Sequence, residues 1–218
     1  MRYRALWFSA VLLVFSGIAA AEPHRYRPQP ERTRAWVIDG NGLFLEQAGK
    51  SRRAIPLADW HWANWPYACA PDIAIGPRGE AVVTSNVLPV LWKIDPDTLA
   101  VSMHRLALDA DTHKDVGFSS LVYSERHAAY FAVSELTGSL WRIDPLLRRA
   151  QKIPLSEPVY GACAASALRE ERTSRLSRLC LHGEKGSWLV ALAPDQRSAY
   201  VHSAGCSADP FAMIGGKR

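Results

Sequence analysis

The chain has 218 residues, 48% hydrophobic and 22% charged, with a formal charge of +5. That balance is globular, which excludes a disordered chain and a polytopic membrane protein. The length suits one domain or two small ones, and the basic charge suggests a nucleic-acid partner until its location is traced.

Met1 to Ala21 carries the marks of a secretory signal. Arg2 and Arg4 form a positive start, and Ala5 to Gly17 is an uncharged apolar run. Ala19, Ala20 and Ala21 supply a small-residue cleavage pattern before Glu22. The apolar run is shorter than the roughly 20 residues a spanning helix needs, so no stable membrane span is expected after cleavage. Loss of Arg2 and Arg4 lowers the charge to +3. Much of the rest lies in residues 22–34, where His24, Arg25, Arg27, Arg32 and Arg34 sit among three prolines. This stretch reads as an extended linker. Neither it nor Arg169 to Arg178 has the interleaved aromatics of a single-strand groove, so no nucleic-acid partner is expected.

From Trp36 onward the chain repeats itself. Pro71 to Pro96 aligns without a gap to Ser120 to Pro145, at an offset of 49 residues. Ser85 meets Ser134 and Leu91 meets Leu140. Trp92, Ile94, Asp95 and Pro96 meet Trp141, Ile143, Asp144 and Pro145. Each unit parses as four strands. The first is Asp72 to Ile75, or Leu121 to Tyr123, and the second is Glu80 to Ser85, or Ala129 to Ser134. The third carries W-x-I-D, and the fourth ends at Leu108 or Leu155. Asp-Pro turns the chain after the third strand, because Pro presets φ and Asp bonds its own backbone. Trp92 and Trp141 are expected to pack between units.

Partial copies flank these two. Trp36 to Gly40 repeats the third-strand motif and Ala54 to Leu57 the fourth strand, so the domain is expected to open with half a unit. Tyr160 to Leu168, Arg178 to His182, Gly186 to Leu192 and Ser198 to Ser203 read as four strands of a last unit, with an insertion at Arg169 to Ser177. Units of 40 to 50 residues with four strands each are the pattern of β-propeller blades. The expected fold is all-β: a small propeller-like array of four-stranded antiparallel blades over residues 35–206, with residues 207–218 as a tail. The span accommodates about 3.5 to 4 blades, where a closed ring typically has four or more. Either the N-terminal half-blade closes on C-terminal strands, or a homo- or hetero-oligomer completes the ring.

The run V-V-T-S-N followed by L-W-K-I-D-P-D-T-L-A-V, within Val82 to Val101, resembles the repeat of YVTN-type and quinoprotein-like β-propellers. The resemblance covers Asp72 to Leu155 well and the flanks weakly. It implies ligand or protein binding on one face, and an enzyme in some relatives. No motif here matches the residues that bind a quinone in the enzymatic relatives, and no cofactor is expected.

Four cysteines remain after the signal: Cys69, Cys163, Cys180 and Cys206. An even count in an exported chain favours two disulfides, with three possible pairings. Cys163 and Cys180 fall on adjacent strands of the last unit, which suggests that pair and leaves Cys69 with Cys206.

Loops on a rigid scaffold are the usual carriers of sites. Ala58 to Ala70 places Trp60, His61, Trp62, Asn64, Trp65 and Tyr67 within eight residues. Aromatics with a polar edge suit a ring, a sugar or a partner's hot spot; the competing reading is a loop packed as a satellite core. Asp109, Asp111 and Asp115 alternate like the start of a calcium loop, but the Gly and distal Glu of an EF-hand are missing and Lys114 opposes a cation, which favours a polar turn. His61 is the candidate general base, with Asp59 or Asp109 to orient it; no G-x-S-x-G or H-E-x-x-H motif accompanies it. Two functions compete: a periplasmic or secreted binding or scaffold protein presenting the Trp-rich loop, and an enzyme or accessory subunit with a small-molecule site at the propeller mouth.

Overall fold

The computed structural model describes residues 25–63, 67–167, 177–183, 186–195, 197–202 and 206. The expected signal segment 1–21 and tail 207–218 lie outside them. Four antiparallel sheets form a four-bladed β-propeller array. Blade 1 holds β1 (Arg25–Gln29), β2 (Arg34–Asp39), β3 (Gly42–Gln47) and β4 (Arg53–Ile55). Blade 2 holds β5 (Ile73–Ile75), β6 (Ala81–Thr84), β7 (Val90–Ile94) and β8 (Val101–Arg105). Blade 3 comprises β10 (Ser120–Ser124), β11 (Ala129–Ser134), β12 (Ser139–Ile143) and β13 (Arg149–Ile153), with β9 (Ala107–Leu108) added at its edge. Blade 4 comprises β14 (Ala162–Ala167), β15 (Ser177–Gly183), β16 (Gly186–Leu192) and β17 (Ala199–His202).

The two repeat units and the last blade fall where the sequence places them. The first blade does not. Residues 25–34, read as linker, contribute β1 and a 3₁₀ turn at Pro30–Arg32, so blade 1 is complete from the N-terminal side alone. Trp36 to Asp39 lies on the second strand, not the third. Asp39 pairs with Gly42 across a Gly40-Asn41 tip, so a tight hairpin leads straight into β3. The Asp-Gly-Asn-Gly stretch is the signal for such a turn, where the true third strands end in Asp-Pro. Pro28 is tolerated because β1 is an edge strand.

The fourth strands end earlier than expected, at Arg105 and Ile153. The next residues cross to the following blade. Ala107–Leu108 pairs in parallel with β13, and Leu155 bridges Ala199 in the same sense. Each exit segment thus covers the outer edge of the next blade, where unpaired backbone groups would otherwise face solvent.

Three apolar cores join four blades. Between blades 1 and 2 lie Trp36, Ile38, Leu45, Val83, Trp92 and Ile94. Between blades 2 and 3 lie Val82, Leu91, Phe118, Tyr130 and Trp141. Between blades 3 and 4 lie Phe131, Leu140, Leu181, Val190 and Val201. Trp92 and Trp141 pack between blades as expected. Their indole N–H groups donate to the Ala58 carbonyl and to Ser139 Oγ, each at 2.8 Å. Among the described residues no such core joins blade 4 back to blade 1. Among the described strands none of blade 1 pairs with one of blade 4, so the strand sharing offered as one way to close the ring is not seen there.

Asp95 and Asp144 form the turns expected of them. Asp95 Oδ1 accepts from the backbone N–H groups of Asp97 and Thr98, and Asp144 accepts from those of Leu146, Arg148 and Arg149.

Candidate functional site

The loop from β4 to β5 carries the Trp-rich segment. Trp60 and Trp62 meet edge-to-face at 6.1 Å and pack against the core of blades 1 and 2. Trp60 donates its indole N–H to the Thr84 carbonyl at 2.8 Å. Trp62 finds no acceptor for its own among the described residues. His61 is exposed, and its Nδ1 lies 2.7 Å from the carbonyl of Asp59 in its own loop. The imidazole is therefore oriented by a backbone oxygen, not by a carboxylate. Asp59 has φ of 56°, a left-handed conformation that Asp tolerates better than most residues. Tyr67 is buried, and burial together with the nearby Asp115 and Glu135 pushes its phenol above the ordinary range. Asn64 and Trp65 lie outside the described residues.

What holds this loop was not singled out in the sequence. Ser85 Oγ donates to the His61 carbonyl at 2.6 Å. Asn86, 2% exposed, accepts from Ala63 N and donates from Nδ2 to the carbonyls of Ala63 and Cys69. Glu135, 5% exposed, accepts from Cys69 N at 2.9 Å. Asn86 and Glu135 occupy the same repeat position, directly after Ser85 and Ser134. The blades thus grip one loop with equivalent residues, and the shared position was the signal that could have revealed them. Gly117 fits against the Asn86 carbonyl so closely that a Cβ would overlap it.

The disulfides complete the clamp, with pairing different from that expected. Cys69 joins Cys163, and Cys180 joins Cys206. The last blade is where the sequence puts it, so blade placement was not the error. Register was. Cys180 faces Ser166 on β14, whereas Cys163 sits at the shift in pairing between Ala162 and Ala164. Adjacent strands do not make adjacent side chains. The Cys69–Cys163 bridge carries the loop that leaves blade 1 across to blade 4.

Below the loop Asp72 is 2% exposed and bonds three blades. It accepts from Ile73 N in blade 2 and from Leu121 N in blade 3, and meets Arg27 of blade 1 at 3.4 Å. Asp109 accepts from Lys152 N at 2.8 Å. The Asp111 carboxylate is hydrogen-bonded by Lys152 and by Lys114, which hold it below the ordinary carboxylate range. Ammonium groups thus occupy the side of Asp111 that a cation would need. Asp115 lies apart from that pair, near Tyr67.

One cavity lies beside the loop and another at the opposite ends of the strands, and His61 lines neither. One of about 230 Å³ runs beside Trp60, lined by Leu43, Phe44, Ile55 and Leu57. The other, of about 450 Å³, is polar and lies between Arg32, Arg78, Tyr123 and Glu125.

No protein-family profile matches the chain, and no curated protein matches it in sequence. Its fold is similar to that of virginiamycin B lyase from Staphylococcus aureus, with a TM-score of 0.59, 12% identity, and coverage of 86% of this chain and 56% of the lyase. It is also similar to an auxiliary nutrient binding protein from Bacteroides ovatus, with a TM-score of 0.54, 12% identity, and coverage of 78% and 44%. A third similar structure is YCF48 bound to D1 peptide, with a TM-score of 0.50, 16% identity, and coverage of 82% and 52%. The blades and these similarities define a β-propeller repeat protein. The chain spans about half the length of the structures it matches. Identities this low speak to fold alone.

Proposed function

We propose that this is an exported binding propeller that presents the Ala58–Ala70 loop to a protein or peptide partner. The observation that carries this reading is a fixed loop with an unspent polar edge. Ser85, Asn86, Glu135 and the Cys69–Cys163 bridge hold the loop, while His61 stays exposed and the Trp62 indole N–H has no acceptor among the described residues. A preorganised aromatic loses little freedom on binding, which is what a hot spot requires. The signal-like start and two disulfides suit an oxidising, extracytoplasmic compartment. The peptide bound to YCF48 and the binding role named for the Bacteroides ovatus protein are precedents on this fold.

The test is capture of partners from periplasmic extract by the mature protein, compared with Trp62→Ala and His61→Ala. Trp62→Ala should lower recovery of a wild-type partner by about tenfold or more. Equal recovery by all three proteins would show that the loop is not the binding surface.

A further inference from the structure

The two disulfides stand in opposite surroundings. The Cys69–Cys163 bridge has a carboxylate beside it: the ligand oxygen of Glu135 lies within 4.8 Å of both sulfurs. The Cys180–Cys206 bridge has an imidazole beside it. His182 Nε2 is 2.9 Å from Cys180 Sγ, and Nδ1 is 2.9 Å from Ser187 Oγ. Cys180 is 2% exposed and Cys206 is half-buried, so the second sulfur is the accessible one. Carbonyl oxygens face that sulfur, Trp188 O at 3.5 Å and Leu181 O at 3.8 Å. Thiol–disulfide exchange proceeds through a thiolate leaving group, which a donor or positive charge favours and a negative neighbour opposes.

We propose that Cys180–Cys206 is an exchangeable disulfide, opened by a small thiol or a dithiol protein through attack at Cys206, with Cys180 leaving as a thiolate onto His182. The incoming thiolate forms a new S–S bond to Cys206 Sγ. The old bond breaks, and its electron pair stays on Cys180 Sγ, which accepts the Nε2–H of His182. Ser187 donates its hydroxyl proton to Nδ1 and so keeps the ring proton on Nε2. The second thiol of a dithiol reductant then attacks its own sulfur in the mixed disulfide. That step closes the reductant's disulfide and releases Cys206 as a thiolate, which takes up a proton. Two electrons pass from the dithiol to the bridge. A monothiol stops at the mixed disulfide on Cys206. Cys180 opposes Leu189, and neither belongs to the core shared with blade 3, so this chemistry governs whether Cys206 stays tethered to that part of blade 4.

The experiment exposes the oxidised mature protein to glutathione, quenches with an alkylating agent at intervals, and maps the peptides by mass. Glutathione should appear on Cys206 and the free thiol on Cys180, at least about tenfold faster than either sulfur of Cys69–Cys163 reacts. His182→Gln should slow opening of Cys180–Cys206 by about tenfold, with Ser187→Ala having a smaller effect and neither changing Cys69–Cys163. Adducts on Cys180, equal rates at the two bridges, or an unchanged rate in a folded His182→Gln protein would each overturn the proposal. The wild-type adduct position decides independently of whether the variants fold.

Discussion

The inner and end blades share one four-strand pattern but bury it differently. Among the third strands, β7 and β12 of the inner blades are each buried at four of five residues. β3 alternates between buried and half-buried positions for most of its length, and β16 begins exposed. A strand packed on both faces reads as a continuous apolar run, while a strand packed on one face alternates. Leu140 and Leu189 make the contrast at a single repeat position. Leu140 is fully buried between blades 3 and 4, whereas Leu189, 8% exposed, belongs to none of the three cores between blades. The sandwiched blades keep the repeat legible, and the end blades drift from it because half their surface answers to solvent.

The largest effect should come from the inner blades. Trp141→Ala removes a fully buried indole from the core of blades 2 and 3 and should cost about 3–5 kcal/mol in chemical denaturation. Removing the Cys69–Cys163 bridge by double Ser substitution should cost about 2–5 kcal/mol, since it closes a separation of 94 residues. A thermal midpoint unchanged by that loss would mean the loop is held by Ser85, Asn86 and Glu135 without the bridge. Asp72→Ala leaves the Leu121 N–H without its acceptor and should cost about 1–3 kcal/mol.

Leu140→Ala against Leu189→Ala tests the comparison directly. The first should cost about 2–5 kcal/mol and the second about 1 kcal/mol. Equal losses would show that Leu189 packs as tightly as Leu140 without belonging to a core between blades. The smallest effect is acid sensitivity. Backbone N–H groups of Thr98 and Asp97 lower the Asp95 pKa, and Lys152 and Lys114 lower that of Asp111. A depressed carboxyl stabilises the fold above its unfolded pKa and loses that contribution as pH falls through the folded value. Midpoints should therefore hold steady from neutral pH to about pH 4 and decline below it.

The candidate loop was legible as a loop, because six aromatic and polar residues in eight positions fit no strand period. Its grip was not. Asn86 and Glu135 look like ordinary turn residues until the repeat aligns them, and nothing local says that both reach back to a segment between blades 1 and 2. The first blade hides its strand order for a similar reason. Trp36-Val37-Ile38-Asp39 imitates a third strand, and only the Gly after Asp39 separates the two turns. Arg27 and Gln29 look like linker residues in the chain. They become strand residues because Ile73 O and Gly79 O accept from them across the blade interface.

By itself the sequence determined the blade as the unit, its four-strand order and the inward position of Trp92 and Trp141, since these follow from short-range periodicity and turn chemistry. Tertiary structure alone decided which cysteines pair, which residues clamp the Trp-rich loop, and that residues 25–29 complete blade 1. Those outcomes depend on side-chain direction at a strand register and on contacts between residues 17 to 94 positions apart, which local pattern does not encode.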